Sequence, residues 1–292
     1  MKTVILTGAT GFLGHWLLKE LLEKDSFIYA VCRRNSSRLY KLAGLSNVKV
    51  IELDMDEIIS LPEYIEHADT LYHLAWGGDR DDFSIQMKNV QFSIDVMYSA
   101  HKIGVKHFIS TGTQAEYGIC KDKINESHMT NPYNAYGACK LSTYFILKTL
   151  SEQLKLPFTW VRLFSVYGDS EEQNTLLISY LVKCFQENKI PELSVCENLW
   201  DFLYAKDAAD ALVMFGEKKC TGLYNLAYGE SRKLKSFVIE VRDLLNLNCK
   251  INFNPAKVSL GVELDVDITK IKNDLGWSPK TTFTEGILKF RK

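Results

Sequence analysis

The sequence predicts an α/β protein built on a doubly wound parallel sheet, with a smaller α/β lobe toward the C-terminus. Three observations predict it. Val4-Ile5-Leu6 is a continuous apolar run, the pattern of a strand buried on both faces. Glycines at 8, 11 and 14 follow directly, and Leu13, Leu17, Leu18, Leu21 and Leu22 then recur at helical spacing. Strand-like and helix-like segments go on alternating as far as Leu163, and parallel neighbours need such crossovers.

The remaining elements follow in order. Strands are expected over residues 27–32, 48–53 and 70–75, a helix over 85–101, and a fifth strand over 107–110. A helix over 134–154 and a sixth strand over 158–163 complete the alternation. Beyond it the spacing predicts a helix over 176–186, a helix over 208–215 capped by Asp207, and a strand over 223–227. An amphipathic helix over 237–245 and a strand over 251–253 follow. No internal repeat, low-complexity tract or Gly/Ser linker separates the halves, so the second half is expected to pack on the sheet as a lobe.

Composition narrows the class. Of 292 residues 46% are apolar and 24% charged, which suits a large soluble core. A net charge of −1 provides no global basic field for nucleic acid or anionic lipid. No apolar run approaches the roughly 18 residues of a membrane helix. Met1 to Leu6 reads as a strand rather than a leader peptide, because the apolar run stops at Thr7-Gly8. Seven cysteines, odd in number and without a C-x-x-C pair, argue against a disulfide framework and a zinc site. The six histidines contain no H-x-x-x-H pair. A cytoplasmic protein is expected, with no metal, membrane or nucleic-acid partner.

Gly8-Ala9-Thr10-Gly11-Phe12-Leu13-Gly14 is G-x-x-G-x-x-G between a buried strand and a helix. Glycines allow the tight turn and let backbone N–H groups approach a pyrophosphate, while the helix start offers free donors and a positive dipole end. Here the sequence resembles the extended short-chain dehydrogenase/reductases of the NAD-dependent epimerase/dehydratase type, most of which modify nucleoside-diphosphate sugars. The resemblance implies a Rossmann domain with a seven-stranded sheet and a substrate lobe. Residues 1–165 would form the dinucleotide-binding domain, with a return segment near 200–228, and residues 166–292 mainly the substrate-binding lobe. It also implies a homodimer formed through two helices of the Rossmann lobe.

An acid about 20 residues past the glycines marks NAD, and an arginine there suits a 2′-phosphate. The second strand runs into Arg33-Arg34-Asn35-Ser36-Ser37-Arg38, with no acid. Guanidinium forks and hydroxyls match phosphate, so NADP is expected, with Arg33, Arg34 and Ser36 as contacts and NAD as the alternative. Asp54 and Met55 follow the third strand, where the resemblance puts the adenine; Asp54 reads equally as a helix cap. His73-Leu74-Ala75 is similar to the family's H-L-A, implying that Leu74 and Ala75 run along the cofactor while His73 packs. Asn89 matches the family's helix asparagine.

Tyr136-Gly137-Ala138-Cys139-Lys140 is Y-x-x-x-K, whose two ends share a helix face. The Lys140 ammonium would lower the Tyr136 pKa and hold the nicotinamide ribose. The stretch from Ser110 to Gly118 resembles the family's S-S-S-x-x-V-Y-G, which makes Thr113 the third catalytic residue, with Thr111 and Ser110 as fallbacks. The family's sugar 4,6-dehydratases carry Asp and Glu next; here those places hold Gln114 and Ala115. Glu116 comes one position late and, on an extended stretch, would face the other way. A dehydratase is therefore not expected. Gln114 and Glu116 are substrate-side candidates, with Phe164 and Ser165 from a segment similar to R-x-F-N-V-Y-G. Trp200 stands where the family's diphosphate-gripping arginine is usual. It either stacks on the substrate or packs, and Lys183, Lys189 or Lys206 could supply the missing cation. The C-terminal D-x-x-K…L-G-W-x-P match is a structural signature.

Together these imply NADPH-dependent reduction of a nucleoside-diphosphate 4-keto-6-deoxy sugar. The alternative is an NAD-dependent nucleoside-diphosphate-sugar 4-epimerase. A non-catalytic sensor on the same fold is disfavoured by the complete Thr113–Tyr136–Lys140 set.

Overall fold

A computed structural model describes residues 1–169, 176–257 and 261–291. The chain runs β1 (Thr3–Thr7), α1 (Phe12–Glu23), β2 (Phe27–Cys32), β3 (Val48–Glu52), β4 (Thr70–His73), α2 (Phe83–Ile103), β5 (His107–Thr113), α3 (Ala135–Leu154) and β6 (Phe158–Leu163). It continues as β7 (Val166–Tyr167), α4 (Leu177–Gln186), β8 (Glu192–Leu193), β9 (Leu199–Trp200), β10 (Leu203–Tyr204), α5 (Ala205–Lys218) and β11 (Gly222–Leu226). Last come β12 (Arg232–Lys233), α6 (Leu234–Leu245), β13 (Asn252–Phe253), α7 (Thr269–Leu275) and α8 (Phe283–Leu288).

The main sheet has seven strands in the order β11-β6-β5-β4-β1-β2-β3, and β1 to β6 pair in parallel. This is the doubly wound Rossmann arrangement. The order reverses between β1 and β4, and ligands of such sheets bind outside the strand ends at that crevice. Val4, Ile5 and Leu6 have no exposed surface, as expected for a strand covered on both faces. The helices have local reasons to start and stop. Asp82 caps α2 by accepting from Ser84 N–H (2.8 Å) and Ile85 N–H (3.2 Å), and Gly104 ends it in the left-handed region at φ 77°. Asn134 caps α3 by accepting from Gly137 N–H at 2.8 Å. One core runs through Ile5, Val31, Leu71, Val96, Phe108, Leu147 and Trp160.

The chain divides into two compact units. The first comprises Met1–Gly118, Met129–Leu163 and Ala209–Tyr224; the second comprises Ile119–His128, Phe164–Ala208 and Asn225–Lys292. In the second, β7 pairs with β10, β8 with β13 and β9 with β12, and the rings of Tyr167, Phe202, Phe237 and Phe283 form its aromatic centre. Asp207 does not cap a helix starting at 208. The helix begins at Ala205, and the Asp207 carboxylate instead accepts from the N–H groups of Lys280 (3.0 Å) and Thr281 (2.7 Å). Among the described residues no helix is long and apolar enough to cross a membrane, and no group of side chains could hold a metal ion.

Candidate active site

The glycine turn explains its own composition. Gly8 has φ 78°, and a Cβ there would lie 2.8 Å from the Ala75 nitrogen; a Cβ on Gly14 would lie 2.0 Å from the Gly8 carbonyl. β1, α1 and the end of β4 therefore meet backbone to backbone. Gly11 is the N-cap of α1, and no side chain caps that turn. Its first N–H groups are left for an anion.

Two adjoining cavities of about 400 and 370 Å³ open over this turn and share walls at Gly8, Gly11, Arg38, Leu74 and Trp76. Thr10, Arg33, Ser36, Met55 and Ala75 line the first; Phe12, Leu13, Gly14, Tyr136 and Lys140 line the second. Among the described residues no carboxylate lines either one. An extended dinucleotide fits this donor set: a bare helix start for its pyrophosphate, and guanidinium and hydroxyl groups at one end.

Two expected cofactor contacts are absent from these walls. The Arg34 guanidinium turns away to pair with Glu57 at 2.7 Å. Asp54 is a cap: it opens the 3₁₀ segment Met55–Glu63 in a reciprocal capping box with Glu57 and accepts from Arg34 N–H at 3.2 Å. Arg38 takes the place expected for Arg34, lining both cavities. Its presence in the arginine run was the only signal for it. His73 is a packing residue: Thr7 Oγ1 (2.8 Å) and Ser93 Oγ (2.9 Å) bracket its ring, and burial pushes its pKa down to about 3. Asn89 holds the segment after β4, accepting from Gly77 N–H (3.1 Å) and donating to the Gly77 carbonyl (2.9 Å).

At the other end α3 presents Tyr136 and Lys140. Gly137 lets the helix press on the preceding turn, since a Cβ there would lie 2.5 Å from the Ala115 carbonyl. This close approach brings Tyr136 into hydrogen bonding with the side chain of Thr113, the residue to which the resemblance points. Lys140 lines the second cavity beside Tyr136. Its Nζ donates to the Thr111 carbonyl at 2.7 Å and stands 3.8 Å from the centre of the Trp76 ring. Burial lowers its pKa to about 7, against the charge of Glu116, which raises it. Burial raises the Tyr136 pKa; the Thr113 hydrogen bond and the Arg80 guanidinium, 4.9 Å from the ring centre, pull it back. The Arg80 guanidinium is thus one cation acting on the phenol. Trp76 and Arg80 sit in a Gly-rich segment after β4 for which no residue pattern gave a role.

The stretch after Thr113 is not extended. Gln114–Glu116 forms a 3₁₀ turn capped by the Thr113 hydroxyl, which accepts from Ala115 N–H at 3.3 Å. The turn swings Glu116 inward, with no exposed surface, onto Arg162 Nε at 2.7 Å. Glu116 is therefore closed to a substrate, whereas Gln114 stays half-buried. Phe164, Ser165 and Trp200 lie in the second unit. Phe164 is fully buried, Ser165 has φ 25°, and the indole N–H of Trp200 is buried without a hydrogen-bond partner among the described residues.

A Rossmann sheet with a glycine turn, a Y-x-x-x-K helix and a threonine hydrogen-bonded to that tyrosine defines the class of extended short-chain dehydrogenase/reductases. The chain belongs to the NAD dependent epimerase/dehydratase family, whose model matches residues 4–227. Among curated proteins it is 27% identical over 258 residues to dTDP-6-deoxy-L-talose 4-dehydrogenase (NAD(+)) of Aggregatibacter actinomycetemcomitans, covering 86% of this chain and 93% of the relative. Two solved structures share the fold. UDP-N-acetylglucosamine 4-epimerase of Methanobrevibacter ruminantium, in complex with UDP-N-acetylmuramic acid, superposes with a TM-score of 0.86 at 21% identity over 98% and 97% of the two chains. UDP-glucuronic acid 4-epimerase of Bacillus cereus, in complex with NAD, superposes with a TM-score of 0.85 at 21% identity over 99% and 100%.

Proposed function

We propose that this enzyme uses NADPH to reduce the 4-keto group of a nucleoside-diphosphate 6-deoxy sugar. The observation that carries the reading is the pair of adjoining cavities: Arg33 and Ser36 line one, Tyr136 and Lys140 the other, Arg38 lines both, and among the described residues no carboxylate lines either. Arginines without an acid suit a 2′-phosphate and oppose a bare ribose diol held by carboxylate. The name of the 27% identical relative supports the position of the chemistry, since dehydrogenation at C4 of a dTDP-6-deoxy sugar is the reverse of this reduction.

The bound cofactor supplies the hydride. The chain does the rest. Thr113 and Tyr136 meet at one point, so a substrate carbonyl oxygen placed there accepts hydrogen bonds from both hydroxyls. The phenol, held protonated by its raised pKa, gives its proton to the oxygen as the alcohol forms. The first N–H groups of α1 and the cations of the arginine run hold the anionic groups. The seven cysteines form no disulfide, which suits a reducing compartment such as the cytoplasm.

The second reading is a 4-epimerase, favoured by the names of the two solved structures. One incubation separates them. With NADPH and a dTDP- or UDP-linked 4-keto-6-deoxy sugar, the reductase consumes reduced nicotinamide in step with product. An epimerase instead inverts C4 of a 4-hydroxy sugar with no net cofactor change, and that result overturns the reduction.

A homodimer belongs to the same reading. Met87 (56% exposed) and Tyr98 (41%) on α2 and Phe145 (55%) and Ile146 (40%) on α3 leave apolar surface on two helices that pack side by side. Light scattering is expected to give twice the mass of the 33.4 kDa chain. A monomer at micromolar concentration would remove this part.

A further inference from the structure

Behind the reacting groups lies a buried charge that the mechanism above does not use. Glu116 has no exposed surface and Arg162 only 2%. The Glu116 carboxylate accepts from Thr113 N–H (Oε1, 2.8 Å), from the Trp160 indole N–H (3.1 and 3.3 Å to its two oxygens) and from Arg162 Nε (Oε2, 2.7 Å). Among the described residues each of these partners donates, which favours the ionised form against the burial that raises the Glu116 pKa. The space is closed as well: a Cβ on Gly112 would lie 2.3 Å from Glu116 Oε1 and 2.2 Å from the Trp160 indole nitrogen. Arg162 is held in turn beneath the Tyr117 ring, 4.3 Å from its centre, and hydrogen-bonds the Tyr117 side chain.

We propose that Glu116, clamped by Arg162 and Trp160, is a positioning residue that fixes the Thr113 hydroxyl against Tyr136. The backbone of Thr113 is anchored by the carboxylate, and its hydroxyl caps the same turn by accepting from Ala115 N–H. The hydroxyl oxygen accepts from the turn with one lone pair, and its O–H remains available for the oxygen shared with Tyr136. The anchor also acts through its charge, which raises the pKa of both Tyr136 and Lys140. This proposal rests on the roles proposed for Thr113 and Tyr136 in the preceding section. It leaves the identity of the sugar open.

The test uses the full chain in two variants. Glu116→Gln keeps the shape but loses the charge, and its amide N–H₂ meets a donor. Should Arg162, left unpaired, unfold it, Glu116→Leu with Arg162→Met replaces the pair by apolar groups of similar volume, an exchange that buried pairs tolerate. In either variant kcat for the 4-keto sugar is expected to fall at least tenfold, with NADPH Kd and sugar KM within threefold of wild type. In Glu116→Gln the alkaline limb of kcat should also move to lower pH. The groups facing the phenol are Arg80, Thr113 and Glu116, and removing the negative one lowers the Tyr136 pKa. A folded variant with kcat within twofold and an unmoved limb overturns the proposal. If wild type itself leaves 4-keto sugars untouched, the function reading fails separately. The crystal structure of the variant then decides, and a Thr113 hydroxyl still bonded to Tyr136 overturns the anchor.

Discussion

Tyr136→Phe is expected to lower kcat by about 10²- to 10⁴-fold, the range a general acid contributes. NADPH affinity should stay within threefold of wild type. The reason is geometric. In the proposed reduction the phenol hydroxyl is the proton source, at the point where the Thr113 side chain also arrives, while the ring packs edge-on against Trp76 and under Arg80. Phenylalanine keeps those ring contacts and the backbone bond from Tyr136 N–H to the Arg80 carbonyl at 2.9 Å. Only the transferable proton is lost, so the fold and the cofactor end should be untouched. Steady-state turnover with a fluorescence titration of NADPH checks both halves. Turnover above a tenth of wild type would take the acid role away from Tyr136.

Arg33→Ala and Arg38→Ala are each expected to weaken NADPH about 10- to 100-fold, since a charge-assisted hydrogen bond contributes about 1.5–3 kcal/mol. NADH, which lacks the 2′-phosphate, should change little. Arg34→Ala serves as the internal control: its guanidinium is already engaged by Glu57, and its loss should alter NADPH binding less than threefold. The three substitutions remove the same charge within six residues, so a general electrostatic effect would weaken all three alike. The pattern of two sensitive positions and one silent one would identify contact. Equal affinity for NADPH and NADH in wild type would defeat the NADP assignment and raise the epimerase.

The cofactor half was legible because its signals are local. A buried strand, glycines at fixed intervals and a leucine-spaced helix name the turn before any coordinate is known, and Y-x-x-x-K needs only one helix. What failed were directions of side chains. Arg33, Arg34 and Arg38 look alike in the sequence, and only the capping box at Asp54 and Glu57, on a 3₁₀ segment without regular periodicity, decides that Arg34 leaves the cavity. Glu116 was misplaced for a related reason. The period-2 rule assumes extended backbone, and the Thr113 hydroxyl turns the chain one residue after β5. Helix spacing puts Lys140 on the face of the phenol, but not its bond to the Thr111 carbonyl or its place against the Trp76 ring. The helices α7 and α8 are seven and six residues long, too short for a periodic pattern, and α8 depends on the capping box of Thr282 and Glu285.

The order in which the chain visits its two units has a consequence for how such an enzyme can change. It passes from one to the other after residues 118, 128, 163, 208 and 224. No single cut therefore releases either unit whole, and no terminal fusion can exchange one for another. A new substrate preference cannot arrive as a transplanted module. If the second unit carries the substrate contacts, as the resemblance implies, such a change must be written by point substitution and loop exchange within its three segments.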